Sequence, residues 1–178
     1  MRRLQIGVIG SCSDLNYSEA AEESAKQLGE LIAQSGNTLV FGAEKDIDSL
    51  PTIAARNAKA AGGETLAITY DKGLSLFSNE AATTVVATGL IRGGGRELSL
   101  MLSCDVVVAL SGGSGTLNEI CVAYQANIPV IVLTGFGGWS DKLANTYLDD
   151  RKRYKFLAAK TPATALKLAL SAVRSETQ

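Results

Sequence analysis

The chain has 178 residues, 46% of them apolar, and a formal net charge of −1. This fits one globular domain over residues 1–178 with a sizeable core, and it excludes a general nucleic-acid binder built on a basic surface. There is no histidine, so a Ser–His or Cys–His pair cannot be built. Cys12, Cys104 and Cys121 show no Cys-x-x-Cys spacing and give no zinc site.

Met1-Arg2-Arg3 leads straight into an apolar run, Leu4 to Ile9, that reads as a buried first strand. That run is too short for a signal peptide, no stretch is long enough to span a membrane, and a cytoplasmic protein is expected. Gly10-Ser11-Cys12-Ser13 is a turn. Ala21, Ala25, Leu28, Leu31 and Ile32 recur at helical spacing and predict a helix from about Ser18 to Ser35, stopped by Gly36-Asn37. Thr38 to Phe41 is a second strand leaving at Gly42. A helix from about Leu50 to Ala61 carries Pro51 in its first turn, and Thr65 to Tyr70 is a third strand.

Asp71 to Ala82 is irregular, and Thr84 to Ala87 is a short fourth strand. Gly93-Gly94-Gly95 precede a helix with Leu98, Leu100, Met101 and Leu102. Asp105 to Leu110 is the fifth strand, with a helical pattern from Leu117 to Ala126 after it. Ile128 to Leu133 is the sixth strand, and Thr134 to Asp141 is a glycine-rich exit. A short strand near Phe156 to Ala158 precedes a helix from Pro162, capped by Thr161. Cys104 and Cys121 lie in apolar contexts that place them in the core. Strand–helix alternation with continuously apolar strands predicts an α/β fold, a doubly wound parallel sheet of about six or seven strands covered on both faces. Ligands bind such sheets at the carboxyl ends of the strands. Gly10, Gly42, Gly112 and Gly135 should therefore line one edge.

The turn Ser111-Gly112-Gly113-Ser114-Gly115-Thr116 lies between an apolar strand and a helix. Glycines let backbone N–H groups approach an anion, and the helix adds the equivalent of roughly half a positive charge at its start. Ser114 and Thr116 offer hydroxyl donors, and Glu119 sits about one turn into the helix, able to face a ligand on the turn. The sequence is no P-loop, lacking Gly-Lys-Ser/Thr, and no complete nucleophile elbow, since Thr116 stands where a glycine is needed.

Ser111 to Glu119 resembles the Pro-Gly-Gly-x-Gly-Thr-x-x-Glu motif of the LONELY GUY-type phosphoribohydrolases, long mislabelled lysine decarboxylases. Arg96, ahead of Asp105, corresponds to that family's signature arginine. Gly10-Ser11-Cys12-Ser13 and the Gly42 exit match its other ligand loops in position. The resemblance covers most of the chain and extends through Thr134–Asp141 to a short branch that includes molybdenum-cofactor-carrier-like proteins. It implies a Rossmann-like three-layer fold, a homodimer or homotetramer, a 5′-phosphate on the glycine turn, and Arg96 and Glu119 as the catalytic pair for N-glycosidic cleavage of nucleoside 5′-monophosphates. Glycosidic cleavage builds positive charge on the ribose, which a carboxylate stabilises.

Ser111 replaces the motif proline, and Glu97 replaces the lysine that follows the arginine. The second strand exits into Gly42-Ala43-Glu44-Lys45-Asp46, where the enzymes carry a run of glycines. Glu44 or Asp46 beside a phosphate would repel it by about 1 kcal/mol in water and several times that in a drier site. Two readings stay open: a phosphoribohydrolase, and a carrier or binding protein for a phosphorylated ligand such as a nucleotide or the molybdenum cofactor. The expected partner is a small phosphorylated ligand, with no nucleic acid, no membrane and no metal or other required cofactor. The apolar helix Leu98–Leu102 carries more large side chains than one buried stripe needs and, with the resemblance, predicts a homo-oligomer.

Overall fold

Strand pairing in the computed structural model, which describes residues 2–175, gives one seven-stranded sheet, all parallel. The strands are β1 (Gln5–Gly10), β2 (Thr38–Ala43), β3 (Glu64–Thr69), β4 (Thr84–Ala87), β5 (Val106–Leu110), β6 (Val130–Leu133) and β7 (Leu157–Ala159), in spatial order β4-β3-β2-β1-β5-β6-β7. The order reverses between β1 and β5, where Gly10 pairs with Leu110. In open α/β sheets the crevice at such a reversal, outside the carboxyl ends of the strands, is where ligands bind.

Among the described residues six α-helices cover the sheet: α1 (Glu19–Gln34), α2 (Leu50–Ala60), α3 (Arg96–Leu102), α4 (Ser114–Gln125), α5 (Gly138–Leu143) and α6 (Pro162–Ser175). Side chains alternate along each strand, so each face has its own core. Ile6, Val8, Phe41, Val106 and Val108 pack with Ala25 and Leu28 of α1, Ile53 of α2 and Ala165 of α6. Ile9, Val40, Val107 and Ala109 pack with Leu100 and Met101 of α3 and with Ile120 and Tyr124 of α4. Both faces being buried explains why the strands read as unbroken apolar runs. The result is a three-layer α/β/α Rossmann-like fold.

Helix starts follow local chemistry. Ser18 accepts a hydrogen bond from Ala21 N–H, and Ser49 one from Thr52 N–H, with Pro51 in the first turn of α2. Thr161 Oγ1 likewise accepts from Thr164 N–H.

Several boundaries differ from the sequence reading. β2 runs on to Ala43. β5 begins at Val106, because Asp105 turns its carboxylate to Gln5 N–H and the Arg2 guanidinium. α4 begins at Ser114, drawing the glycine turn into the helix's first turn. The Thr134–Asp141 exit contains α5, which glycines at Gly137 and Gly138 disguise as loop; the Asp141 carboxylate accepts from Gly135 and Gly137 N–H and closes the entry. Cys104 is buried, whereas Cys121 is only half-buried. Among the described residues no helix is long and apolar enough to cross a membrane.

Candidate functional site

A cleft of about 390 Å³ opens at the carboxyl edge beside the β1–β5 reversal. Gly10, Cys12, Gly113, Ser114, Gly115, Thr116, Arg96 and Glu119 line it, together with Asp14, Glu44, Tyr70, Arg92, Glu97 and Asn118. Its floor is the start of α4. The first N–H groups of a helix have no intrahelical partner, and those of Ser114, Gly115 and Thr116 have no other partner among the described residues. The first bond of the turn is Leu117 N–H to Gly113 O.

Other residues of the turn are engaged in holding it. Ser11 Oγ accepts Gly112 N–H at 2.9 Å and donates to Ser111 Oγ at 3.1 Å. Thr116 Oγ1 donates to Gly10 O, so its hydroxyl faces β1 and not the cleft. The Ser111 and Gly112 carbonyls accept from Ser140 and Trp139 N–H at the start of α5. Gly112 (φ 105) lies over Thr116, whose side chain would meet any Cβ there. Thus Gly112, Ser11 and the Thr116 side chain shape the cradle from behind, while Ser114 and Gly115 face the open space. Gly135 lies outside the cleft, its N–H held by Asp141.

Arg96 opens α3 and is buried against β2 and β3. Its Nη2 donates to Glu44 Oε1 at 3.0 Å and to Tyr70 Oη, and its Cζ stands 4.1 Å from the Tyr70 ring centroid. Arg92 pairs with the other oxygen of Glu44. Glu44 therefore points into the site, with its charge held between two arginines, and the expected bare repulsion of a phosphate is replaced by an ion-pair network. Asp46 is exposed and does not line the cleft. Glu97 Oε1 accepts from Gly93 N–H and Tyr70 Oη.

Gly42 makes this network possible. A Cβ there would lie 2.9 Å from Arg96 Cζ and closer still to Nη1. Gly42 thus faces the guanidinium, over a small cavity of about 30 Å³ that Arg96 and Glu119 also line. Arg96 keeps Nε and Nη1 buried without partners. Orphaned buried donors on a charged group are costly, and the residue that carries them lines both the cleft and the small cavity. Burial works against the Arg96 charge, but Glu119, Tyr70 and Glu44 outweigh it and hold the guanidinium protonated.

Glu119 is 8% exposed, and its carboxylate has no hydrogen-bond partner among the described residues. Burial pushes its pKa up to about 7; Arg96 pulls it down, and Glu97 and Glu44 push it up further. A carboxylate poised near neutrality is suited to proton transfer. Burial, then the Glu44 charge, raises the Cys12 thiol to about 11, so it stays protonated. Tyr70 and Arg92 escaped the sequence reading; Tyr70 directly follows β3, where an aromatic at a strand's carboxyl end was the available signal.

The SLOG cluster4 family model matches residues 3–166. The X-ray structure of TM1055 superimposes with a TM-score of 0.83 at 27% identity, covering 94% of this chain and 99% of that one. A molybdenum cofactor binding protein from the phototrophic bacterium Rippkaea orientalis gives 0.81 at 29% identity, over 97% and 99%. The molybdenum cofactor carrier protein of Chlamydomonas reinhardtii gives 0.80 at 26% identity, over 97% and 99%.

Proposed function

The chain belongs to the SLOG cluster4 family, which fits the LONELY GUY-type resemblance and its carrier-like branch, and we propose that it binds a small phosphorylated ligand with the phosphate on the start of α4. One observation carries this reading. Ser114, Gly115 and Thr116 with their unpaired N–H groups, Glu119 with its partnerless carboxylate and Arg96 with its buried, unpaired Nε and Nη1 all line one cleft. The helix start is an anion seat by its geometry alone, and the two side chains supply chemistry beside it.

The reaction this arrangement supports is hydrolysis of a nucleoside 5′-monophosphate. The C1′–N bond breaks with its electron pair passing to the base. A water oxygen bonds to C1′, one of its protons passes to ionised Glu119, and that proton is then delivered to the departing base nitrogen, which restores the carboxylate. Arg96 orients the ligand and balances the carboxylate. Incubation with a panel of nucleoside 5′-monophosphates, read as free base, tests this: release by the native protein, slowed roughly 10²–10⁴-fold in Glu119→Gln, is expected. No release with any of them argues for carriage.

The carrier reading draws on the two molybdenum cofactor proteins among the structural neighbours and on Glu44, which stands at the second-strand exit where the resembled enzymes carry a run of glycines. The cleft residues fit the phosphate end of such a cargo. Among the described residues no group of His, Cys, Asp or Glu is placed to hold a metal directly. We also propose a homo-oligomer, through the exposed face of α3.

A further inference from the structure

A second cavity, of about 530 Å³, adjoins the α4 cleft at the carboxyl ends of β2, β3 and β4, and Tyr70 lines both. Its walls are Ala43, Leu74 and Leu76, with Lys45 and Lys72 among its lining side chains. Leu74 is 88% exposed, a large apolar side chain with nothing packed over it.

The two compartments differ in charge balance. In the α4 cleft both arginines face carboxylates, and Glu44 takes a bond from each. In the second compartment neither Lys45 nor Lys72 makes an ion pair or a side-chain hydrogen bond among the described residues, and Asp71 is its one acidic lining residue. A volume of this size suits a ring system rather than a lone ion. The free ammonium groups suit an anion that would form charge-assisted hydrogen bonds.

We propose that the compartment beyond Tyr70 receives the far end of an elongated ligand: a flat ring system against Leu74 and Leu76, bearing an anionic group that reaches Lys45 and Lys72. This rests on the reading of α4 as the phosphate seat. The ligand then runs along the sheet edge, phosphate at β5 and second anion at β3, and Tyr70 marks the boundary between its halves. The pair of lysines sets specificity for ligands charged at both ends.

Titration calorimetry with three probes tests it: inorganic phosphate, adenosine 5′-monophosphate and N6-succinyladenosine 5′-monophosphate, which carries carboxylates at the base end. The native protein should bind the succinyl nucleotide about tenfold more tightly than the plain one, the fold-change of one good charge-assisted contact. A Lys45→Ala/Lys72→Ala variant should lose that gain and keep its affinity for inorganic phosphate. Ser75→Trp, at an exposed position on the cavity wall, should weaken both nucleotides and leave phosphate unchanged. Equal native affinities for the two nucleotides, or a gain retained in the double lysine variant, overturns the proposal. Failure of inorganic phosphate and both nucleotides to bind overturns the α4 reading together with it.

Discussion

Gly42 and Arg96 interlock: the guanidinium occupies the space where any other residue at 42 would place its Cβ. The glycine on β2 and the arginine on α3 are one device, placing a buried cation beside Glu44 at the cleft.

Gly42→Ala should therefore expel the Arg96 side chain and leave Glu44 short of a partner. Breaking a buried ion pair costs about 3 kcal/mol or more. Urea denaturation should show a loss of that order, accompanied by weaker ligand binding. An unchanged midpoint would contradict the interlock.

Glu119 gives a pH dependence with a definite sign. Its ordinary pKa is 4.5, and burial first among its causes raises it to about 7 in the fold. Between those values the folded protein holds a proton that the unfolded chain has lost. This contribution to stability is complete below pH 4.5 and is lost as pH rises through 7, amounting to about 3 kcal/mol. Glu119→Gln should remove it, so the variant should exceed native stability at pH 8 by up to that amount, with the difference shrinking toward pH 5. Parallel denaturation curves at the two pH values check this, and a difference that grows toward pH 5 would contradict it.

The same group governs turnover if turnover occurs. Only ionised Glu119 can take a proton, so the rate of base release should rise with pH through about 7. Glu119→Gln should reduce it roughly 10²–10⁴-fold. A flat profile over that range would remove Glu119 from the chemistry.

Much of this was legible in the sequence. The buried strands announce themselves as apolar runs such as Val106–Leu110, and the Gly112–Thr116 turn falls at the cleft beside the β1–β5 reversal. The ion-pair network was not legible. Glu44 read as an obstacle to phosphate, because nothing local to β2 says that Arg92 and Arg96, far along the chain, converge on it. Tyr70 ends a predicted strand and Arg92 falls in a segment to which the sequence assigns no element, and no periodicity marks a residue whose role depends on strands meeting at one edge. Thr116 was read as a ligand donor, yet its hydroxyl closes on Gly10 O, a contact that exists only because β1 and β5 are neighbours.

The exposed face of α3 carries the oligomer prediction. Leu98 is 49% and Leu102 59% exposed, while Leu100 and Met101 are buried. Residues four apart share a helix face, so the two leucines form one apolar patch outside the core. Light scattering should give at least twice the 18.6 kDa chain mass. Leu98→Glu with Leu102→Glu should reduce it to the chain mass with the fold retained. A native mass of 18.6 kDa at micromolar concentration would contradict the prediction.

Gly115 faces open space within the cleft, with nothing within 4 Å of a Cβ built there, whereas one on Gly113 would meet Leu15 at 2.8 Å. Gly115→Val should leave the fold intact and cover the N–H groups of the first helical turn. Affinity for inorganic phosphate should drop about tenfold or more, the loss of one or two charge-assisted bonds. Unaltered affinity in a folded variant would place the anion elsewhere.

The most direct measurement is a crystal structure of the Glu119→Gln variant with adenosine 5′-monophosphate bound. The 5′-phosphate is expected on the N–H groups of Ser114, Gly115 and Thr116, with the ribose between Arg96 and residue 119. A nucleotide whose phosphate lies away from the start of α4 would contradict it.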